Sequence, residues 1–232
     1  NVNDTPTITS TAITSINEDS AYSYTFAATD VDSGDTLTLS APTKPSWLSF
    51  NANTGVLSGT PNNSHVGTHN VVLKATDAAG AVDTQSFTIT VNNVNDTPTI
   101  TSTAITSINE DSAYSYTFVA NDVDIGDTVT LSAPTKPSWL SFNANTGVLS
   151  GTPTNADVGT HNVVLKATDA AGAVDTQSFT ITVNNVNDTP TITSTAITSI
   201  NEDSAYSYTF AASDVDSGDT LTLSAPTKPS WL

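Results

Sequence analysis

Ala21-Tyr22-Ser23-Tyr24-Thr25-Phe26-Ala27-Ala28 alternates aromatic with small polar residues and runs directly into Thr29-Asp30-Val31-Asp32-Ser33-Gly34-Asp35. A period of two puts Tyr22, Tyr24 and Phe26 on one face and Ser23 and Thr25 on the other, the pattern of a half-buried strand. The acidic stretch that follows is rich in residues that hydrogen-bond their own backbone, so it reads as the turn that ends the strand. Working outward, strand A covers Thr7 to Ile13 or beyond, and the alternating run is strand B, Ala21 to Ala28. C runs from Thr36 to Ser40, D from Trp47 to Phe50, E from Val56 to Gly59, F from His69 to Ala75 and G from Val82 to Val91. Short strands punctuated by Pro, Gly, Asn and Asp predict an all-β, seven-stranded Greek-key sandwich. No stretch carries a helical period.

The pattern then repeats. Asp4, Asp96 and Asp188 stand in the same Asn-Asp-Thr-Pro context at intervals of 92 residues. Solenoid units run to roughly 20–50 residues, so a period this long is a whole domain. The expected organisation is beads on a string: repeat 1 at 1–94, repeat 2 at 95–186, and the first half of repeat 3 at 187–232. The third stretch holds strands A to C and the start of D, which predicts that the polypeptide continues past Leu232 or that a partner chain donates the rest. Repeats 1 and 2 differ at few places, among them Ala27/Val119, Thr29/Asn121, Ser33/Ile125, Asn62/Thr154, Ser64/Ala156 and His65/Asp157. Serial near-identity suits a stalk, which gains length with every copy; a catalytic chain gains little from copying one site in series.

Composition narrows the partners. The net charge is −18, from 23 Asp and Glu against 5 basic residues, which argues against nucleic acid or an anionic membrane and for cations. Cysteine is absent, so neither disulfides nor thiol chemistry contribute. No run is long and apolar enough to span a bilayer, and membrane insertion is not expected.

Strand count also places the acids. Each strand reverses direction, so the loops after B and F lie at the end where the chain enters, with Asn3, Asp4, Asp30, Asp32, Asp35 and Asp77. Glu18 follows A and lies at the far end, where G exits through Asn93, Asn95 and Asp96. At the first junction Glu18 therefore meets Asn93, Asn95 and Asp96 of the connection and Asp122, Asp124 and Asp169 of the next repeat. Carboxylates, amides and backbone oxygens are the ligand set of Ca²⁺, which takes six to eight oxygens. Without a cation these groups repel one another; with one, the joint is expected to stiffen. The bland alternatives are turn chemistry for the Asp-x-Asp pairs and solubility for the net charge.

Asn-Glu-Asp at Glu18, Ala-Thr-Asp-Val-Asp-Ser-Gly-Asp through Asp35, Ala-Thr-Asp-Ala-Ala-Gly at Asp77 and the Asn-Val-Asn-Asp-Thr-Pro connection resemble cadherin repeats. Pro45-Ser46-Trp47-Leu48-Ser49-Phe50, running on to Gly59-Thr60-Pro61, is similar to the dystroglycan-type cadherin-like, or Ig-like, repeats of large bacterial surface adhesins. The resemblance implies calcium ligands at Glu18, Asn95, Asp96, Asp122, Asp124 and Asp169, and at the second junction Glu110, Asn187, Asp188, Asp214 and Asp216. Two departures matter. The Asp-Arg-Glu motif that follows strand E in cadherins is replaced by Ser58-Gly59-Thr60, and Asn93 stands where cadherins usually carry Asp. Fewer or weaker ions are expected, and homophilic adhesion is not implied.

Trp47, Trp139 and Trp231, with Tyr22, Tyr24, Tyr114 and Tyr116, suit either a sandwich core or a sugar-stacking platform, and core is the commoner role at strand positions. His65, His69 and His161 have no triad or zinc-like partners at useful spacing, and no phosphate loop, nucleophile elbow or HExxH stretch is present. The expectation is a non-enzymatic, calcium-stiffened spacer of an extracellular, cell-surface adhesin, biofilm-matrix or filament protein. Its expected partners are calcium, neighbouring repeats, other copies of the protein or cell-surface glycans. The alternative is a carbohydrate-binding module repeated for avidity.

Overall fold

The computed structural model describes residues 2–232. The chain divides into two compact units, Asn1–Thr97 with Asp122–Thr128, and Pro98–Asn121 with Val129–Leu232.

In the first unit nine strands build a sandwich: β1 (Thr7–Ile8), β2 (Ser15–Asn17), β3 (Tyr22–Thr25), β4 (Ala28–Thr29), β5 (Thr38–Thr43), β6 (Leu48–Asn51), β7 (Val56–Gly59), β8 (Gly67–Thr76) and β9 (Val82–Asn92). One sheet has the order β2-β9-β8-β5, another β3-β7-β6, and β1 pairs with β4. The expected strand A is two strands. Its first part pairs antiparallel with the end of strand B, Ile8 opposite Ala28. The chain then changes sheet, and β2 runs parallel to β9 with Asn17 opposite Asn92. That parallel pair fixes the geometry of the far end, because β2 and β9 finish side by side and Glu18 N–H bonds Asn92 O at 3.0 Å.

Strand B keeps the faces its alternation dictates, but it too is divided, into β3 and β4 in different sheets. Tyr22, Tyr24 and Phe26 are buried together with Leu48, Leu57, Leu73 and Ile89, while Ser23 and Thr25 face outward. Fully burying each such side chain contributes about 1.5–3 kcal/mol. The tyrosine hydroxyls are satisfied inside: Tyr22 donates to Ile13 O at 2.8 Å and Tyr24 to Gln85 Oε1 at 2.7 Å. Burial pushes the Tyr22 hydroxyl up to about 12, with the neighbouring Tyr24 adding to the effect, so it stays protonated and keeps its donor. Trp47 packs edge-on to Tyr22 with ring centroids 5.9 Å apart, which makes it part of the core wall.

Two glycines are required by contact. Gly55 turns the β6–β7 hairpin at φ +71°, and a Cβ there would stand 2.3 Å from Phe26 O. Gly59 lies so close to the start of β6 that a Cβ would meet Trp47 O at 2.0 Å. A short 3₁₀ turn, Asn63–His65, links β7 to β8.

The second sandwich repeats the plan with β10 (Thr99–Ile100), β11 (Ser107–Asn109), β12 (Tyr114–Thr117), β13 (Ala120–Asn121), β14 (Thr130–Thr135), β15 (Leu140–Asn143), β16 (Val148–Gly151), β17 (Gly159–Thr168) and β18 (Val174–Asn184). Its sheets run β11-β18-β17-β14 and β12-β16-β15, with β10 on β13. Its 3₁₀ turn is Asn155–Asp157. Beyond it, β19 (Thr191–Ile192) pairs with β20 (Ala212–Ser213) in the register of β1 on β4. Among the described residues no helix is long and apolar enough to cross a membrane.

Candidate metal centre

Glu18 follows β2 and is followed by Asp19, whose φ of 56° is left-handed, a conformation Asp tolerates better than most residues. The reversal buries Glu18, only 1% exposed, beneath the exit of β9. Its Oε1 accepts the Val94 N–H at 2.8 Å; its Oε2 is buried without a donor. Asp19 N–H bonds Pro61 O at 2.8 Å, which ties the 3₁₀ turn beside Glu18.

The loop after β13, Asp122–Thr128, belongs to the same compact unit. Within it Asp124 N–H bonds Asp122 Oδ1 at 2.9 Å, the local turn its composition predicts. Asp96 N–H bonds Asp124 Oδ2 at 2.8 Å. Each carboxylate thus spends one oxygen on backbone and keeps the other: Glu18 Oε2, Asp122 Oδ2 and Asp124 Oδ1 are all buried with no donor. Turn chemistry and ligand chemistry are therefore compatible, because they use different oxygens of the same groups.

Ligand-capable oxygens of Glu18, Asp96 and Asp124 lie within 4.8 Å of one another. A like-charge pair about 4 Å apart costs about 4 kcal/mol at an effective dielectric of ~20, against about 1 kcal/mol returned by an ordinary hydrogen bond. A compensating positive charge would relieve that repulsion. An all-oxygen set of carboxylates and amides suits a hard divalent ion. Asp122, Asp124 and Asp127 form a second group of the same size, so Asp124 is common to both.

The entry end of the first sandwich carries the same loop. Asp32 N–H bonds Asp30 Oδ1 at 2.9 Å, Asp4 N–H bonds Asp32 Oδ2 at 2.8 Å, and Asp30, Asp32 and Asp35 cluster. Asn3 Nδ2 donates to Asp77 Oδ2 at 2.9 Å. That bond, together with backbone amides led by Ala81, holds Asp77 below the usual carboxylate range in spite of its desolvation.

In the second unit Glu110 is 2% exposed, accepts Val186 N–H on Oε1 at 2.7 Å and leaves Oε2 without a donor. Asp188 N–H bonds Asp216 Oδ2 at 2.7 Å, and Asp214, Asp216 and Asp219 cluster. The Asp188 amide first, and the Asn155 and Asn185 side chains after it, depress the Asp216 carboxyl below its usual range. Asp169 sits in this unit, where its Oδ1 takes the Gly172 and Ala173 amides at 2.6 and 2.7 Å. Asn95 and Asn187 each turn an amide onto the neighbouring carbonyl, Asp96 O and Asp188 O, at 2.8 Å. Asn93 is exposed.

Sequence reasoning passed over Asp127 and Asp219 as members of the group, and over Asn63 and Asn155. Asn63 Nδ2 donates to Asp96 Oδ2 at 2.5 Å, so the turn after strand E does reach the cluster, with an amide in place of an acid. A signal existed: between the two repeats Asn62, Ser64 and His65 all change while Asn63 is kept as Asn155. The changed neighbours only hold the turn, since His65 Nδ1 and Asp157 Oδ2 accept the same cap amide, from Asn62 and Thr154.

A sandwich whose first strand changes sheets, repeated in tandem and carrying acidic groups where each strand G exits, has the cadherin- and Ig-like fold. The family described as "Putative Ig domain" matches residues 5–92 and again 97–184, and the chain belongs to it. The chain is similar to the serine-rich adhesin for platelets of Staphylococcus aureus strain MRSA252, 35% identical over 154 residues, which is 65% of this chain and 11% of that protein. The same adhesin in strain MW2 matches at 35% identity over 6% of its length, so the chain corresponds to a small part of these relatives. Among solved structures, the protocadherin GammaB4 extracellular domain shares the fold at TM-score 0.53 and 20% identity, over 92% of this chain and 38% of that one. Protocadherin gammaB7 EC3-6 does so at TM-score 0.51 and 20% identity, over 92% and 62%.

Proposed function

We propose that this chain is a run of spacer repeats, bounded at 94/95 and 186/187, from a large adhesin exposed on a bacterial surface, and that calcium stiffens its joints. The observation that carries the reading is the division of labour within the buried carboxylates: one oxygen of Glu18, Asp122 and Asp124 is bonded to backbone and the other is buried with no donor. Oxygens buried in this way are open to a cation. Calcium fits them by ligand chemistry and by the number of oxygens on offer, and extracellular modules bind it at about 10⁻⁴ to 10⁻³ M. Glu18, Asp96, Asp122 and Asp124 would hold the ion at the first joint, and Glu110, Asp188, Asp214 and Asp216 at the second. Asn3, Asp4, Asp30, Asp32 and Asp77 would form the matching half-site toward any preceding repeat.

Membership of a family of Ig-like domains and similarity to a staphylococcal adhesin support an adhesin repeat at the cell surface. A repeat in that role needs no catalytic constellation; it needs length and a controlled hinge. Stiff repeats would serve either to extend a binding head away from the cell or to build a biofilm matrix or filament. Small-angle scattering of the chain in calcium and then in chelator tests the stiffening. The expected result is a larger maximum dimension and a narrower spread of conformations with calcium; identical curves would overturn it.

A further inference from the structure

We propose that Asn63 and Asn155 are reversible latches of the cation sites, their amides clasping the carboxylates through N–H when no cation is held and turning over to offer Oδ1 when one is. The inference rests on the calcium reading above and adds to it the residue that switches. Asn63 Nδ2 donates to Asp96 Oδ2 at 2.5 Å, whereas its Oδ1 is buried without a donor. Beside it stand Glu18, 1% exposed with Oε2 unpartnered, and Asp124, 7% exposed with Oδ1 unpartnered. At the second site the same amide goes further: Asn155 Nδ2 donates to Asp188 Oδ2 at 3.0 Å and to Asp216 Oδ1 at 3.1 Å. Asp216 Oδ1 corresponds to Asp124 Oδ1, the atom left without a donor at the first site. One side chain is therefore found at two degrees of closure, on one carboxylate and across two.

An amide suits this because its ends are a donor pair and an acceptor of nearly equal shape. The N–H end relieves repulsion between carboxylates, and the oxygen end is a cation ligand. A carboxylate in its place can only ligate, and an aliphatic side chain can do neither. The backbone of Asn63 is held in the 3₁₀ turn, where its carbonyl accepts the Val66 N–H at 3.3 Å, so turning over needs rotation of the terminal amide alone.

The experiment compares the full chain with N63D/N155D and N63L/N155L, measuring calcium affinity by calorimetry and thermal midpoint in calcium and in chelator. For the Asp pair the latch predicts a lower midpoint in chelator together with calcium binding at least severalfold tighter, since ligand charge count tunes affinity. For the Leu pair it predicts binding about tenfold weaker, equivalent to about 1.4 kcal/mol. In the wild type the Asn63 side-chain amide resonances should move on calcium addition. Wild-type chain that binds calcium while both variants match it in affinity overturns the latch and leaves the spacer reading standing. Wild-type chain that binds no calcium overturns both.

Discussion

At the scale of single residues, Glu18 poses the sharpest question. A buried polar atom left without a partner costs about 1–3 kcal/mol, and more when it carries charge, yet Glu18 is 1% exposed with Oε2 unpartnered and Glu110 repeats the arrangement. A bound cation would offset the cost. It follows that replacing the acid with its amide has opposite effects in two media. E18Q/E110Q should leave the thermal midpoint in chelator unchanged or raised, because repulsion is removed, and should abolish most of the increase that calcium confers. Scanning calorimetry in both media checks this; a variant that still gains as much from calcium as the wild type contradicts it. The acids themselves were legible in the sequence, since Glu18, Asp30, Asp32, Asp96, Asp122 and Asp124 stand in short acidic motifs whose end of the sandwich follows from strand reversal. Asn63 was legible only as the residue kept while its neighbours change between repeats, because a neutral side chain carries no motif and its bond to Asp96 joins residues distant in sequence.

At the scale of elements, the alternation of Tyr22, Tyr24 and Phe26 fixed the buried face of strand B, and the E and G strands agree with their turn punctuation to within a residue at each end. The continuous strands expected for A and B are each divided, A between β1 and β2 and B between β3 and β4. Period and propensity describe a strand's faces but not its partner, so a switch of sheets at Thr9 to Thr14 leaves no mark in the alternation. The switch matters, as it produces the parallel β2–β9 pair that delivers Glu18 to the exit of β9. Likewise, the tight approach of β6 to β7 shows in sequence only as a glycine. Because a Cβ at Gly59 would stand 2.0 Å from Trp47 O and one at Gly151 2.0 Å from Trp139 O, these backbones must separate to admit it. G59A and G151A should each destabilise their own sandwich by about 1–3 kcal/mol, the usual penalty of overpacking. Chemical denaturation of either variant gives the value, and a change within about 0.5 kcal/mol, the range of neutral surface substitutions, would show that the hairpin is looser than it stands here.

At the scale of the whole molecule, the 92-residue period already implied tandem domains, and the family match over 5–92 and 97–184 repeats that spacing. The charge of −18 takes its meaning from placement. Acids spread evenly would only solubilise the chain, while acids gathered where each strand G exits are placed so that, on the proposed reading, a cation would govern the stiffness of the joint. What the sequence left open was whether those loops form turns or bind ions; the turns are formed, and they leave a second carboxylate oxygen over on Asp122 and Asp124. The most direct test is a calorimetric titration of the chain with calcium, repeated on E18Q/E110Q. The account predicts saturable binding at about 10⁻⁴ to 10⁻³ M in the wild type, lost or weakened by about tenfold or more in the variant. Titration of the wild type without saturable heat up to about ten times that upper limit, or a variant that binds as the wild type does, would contradict it.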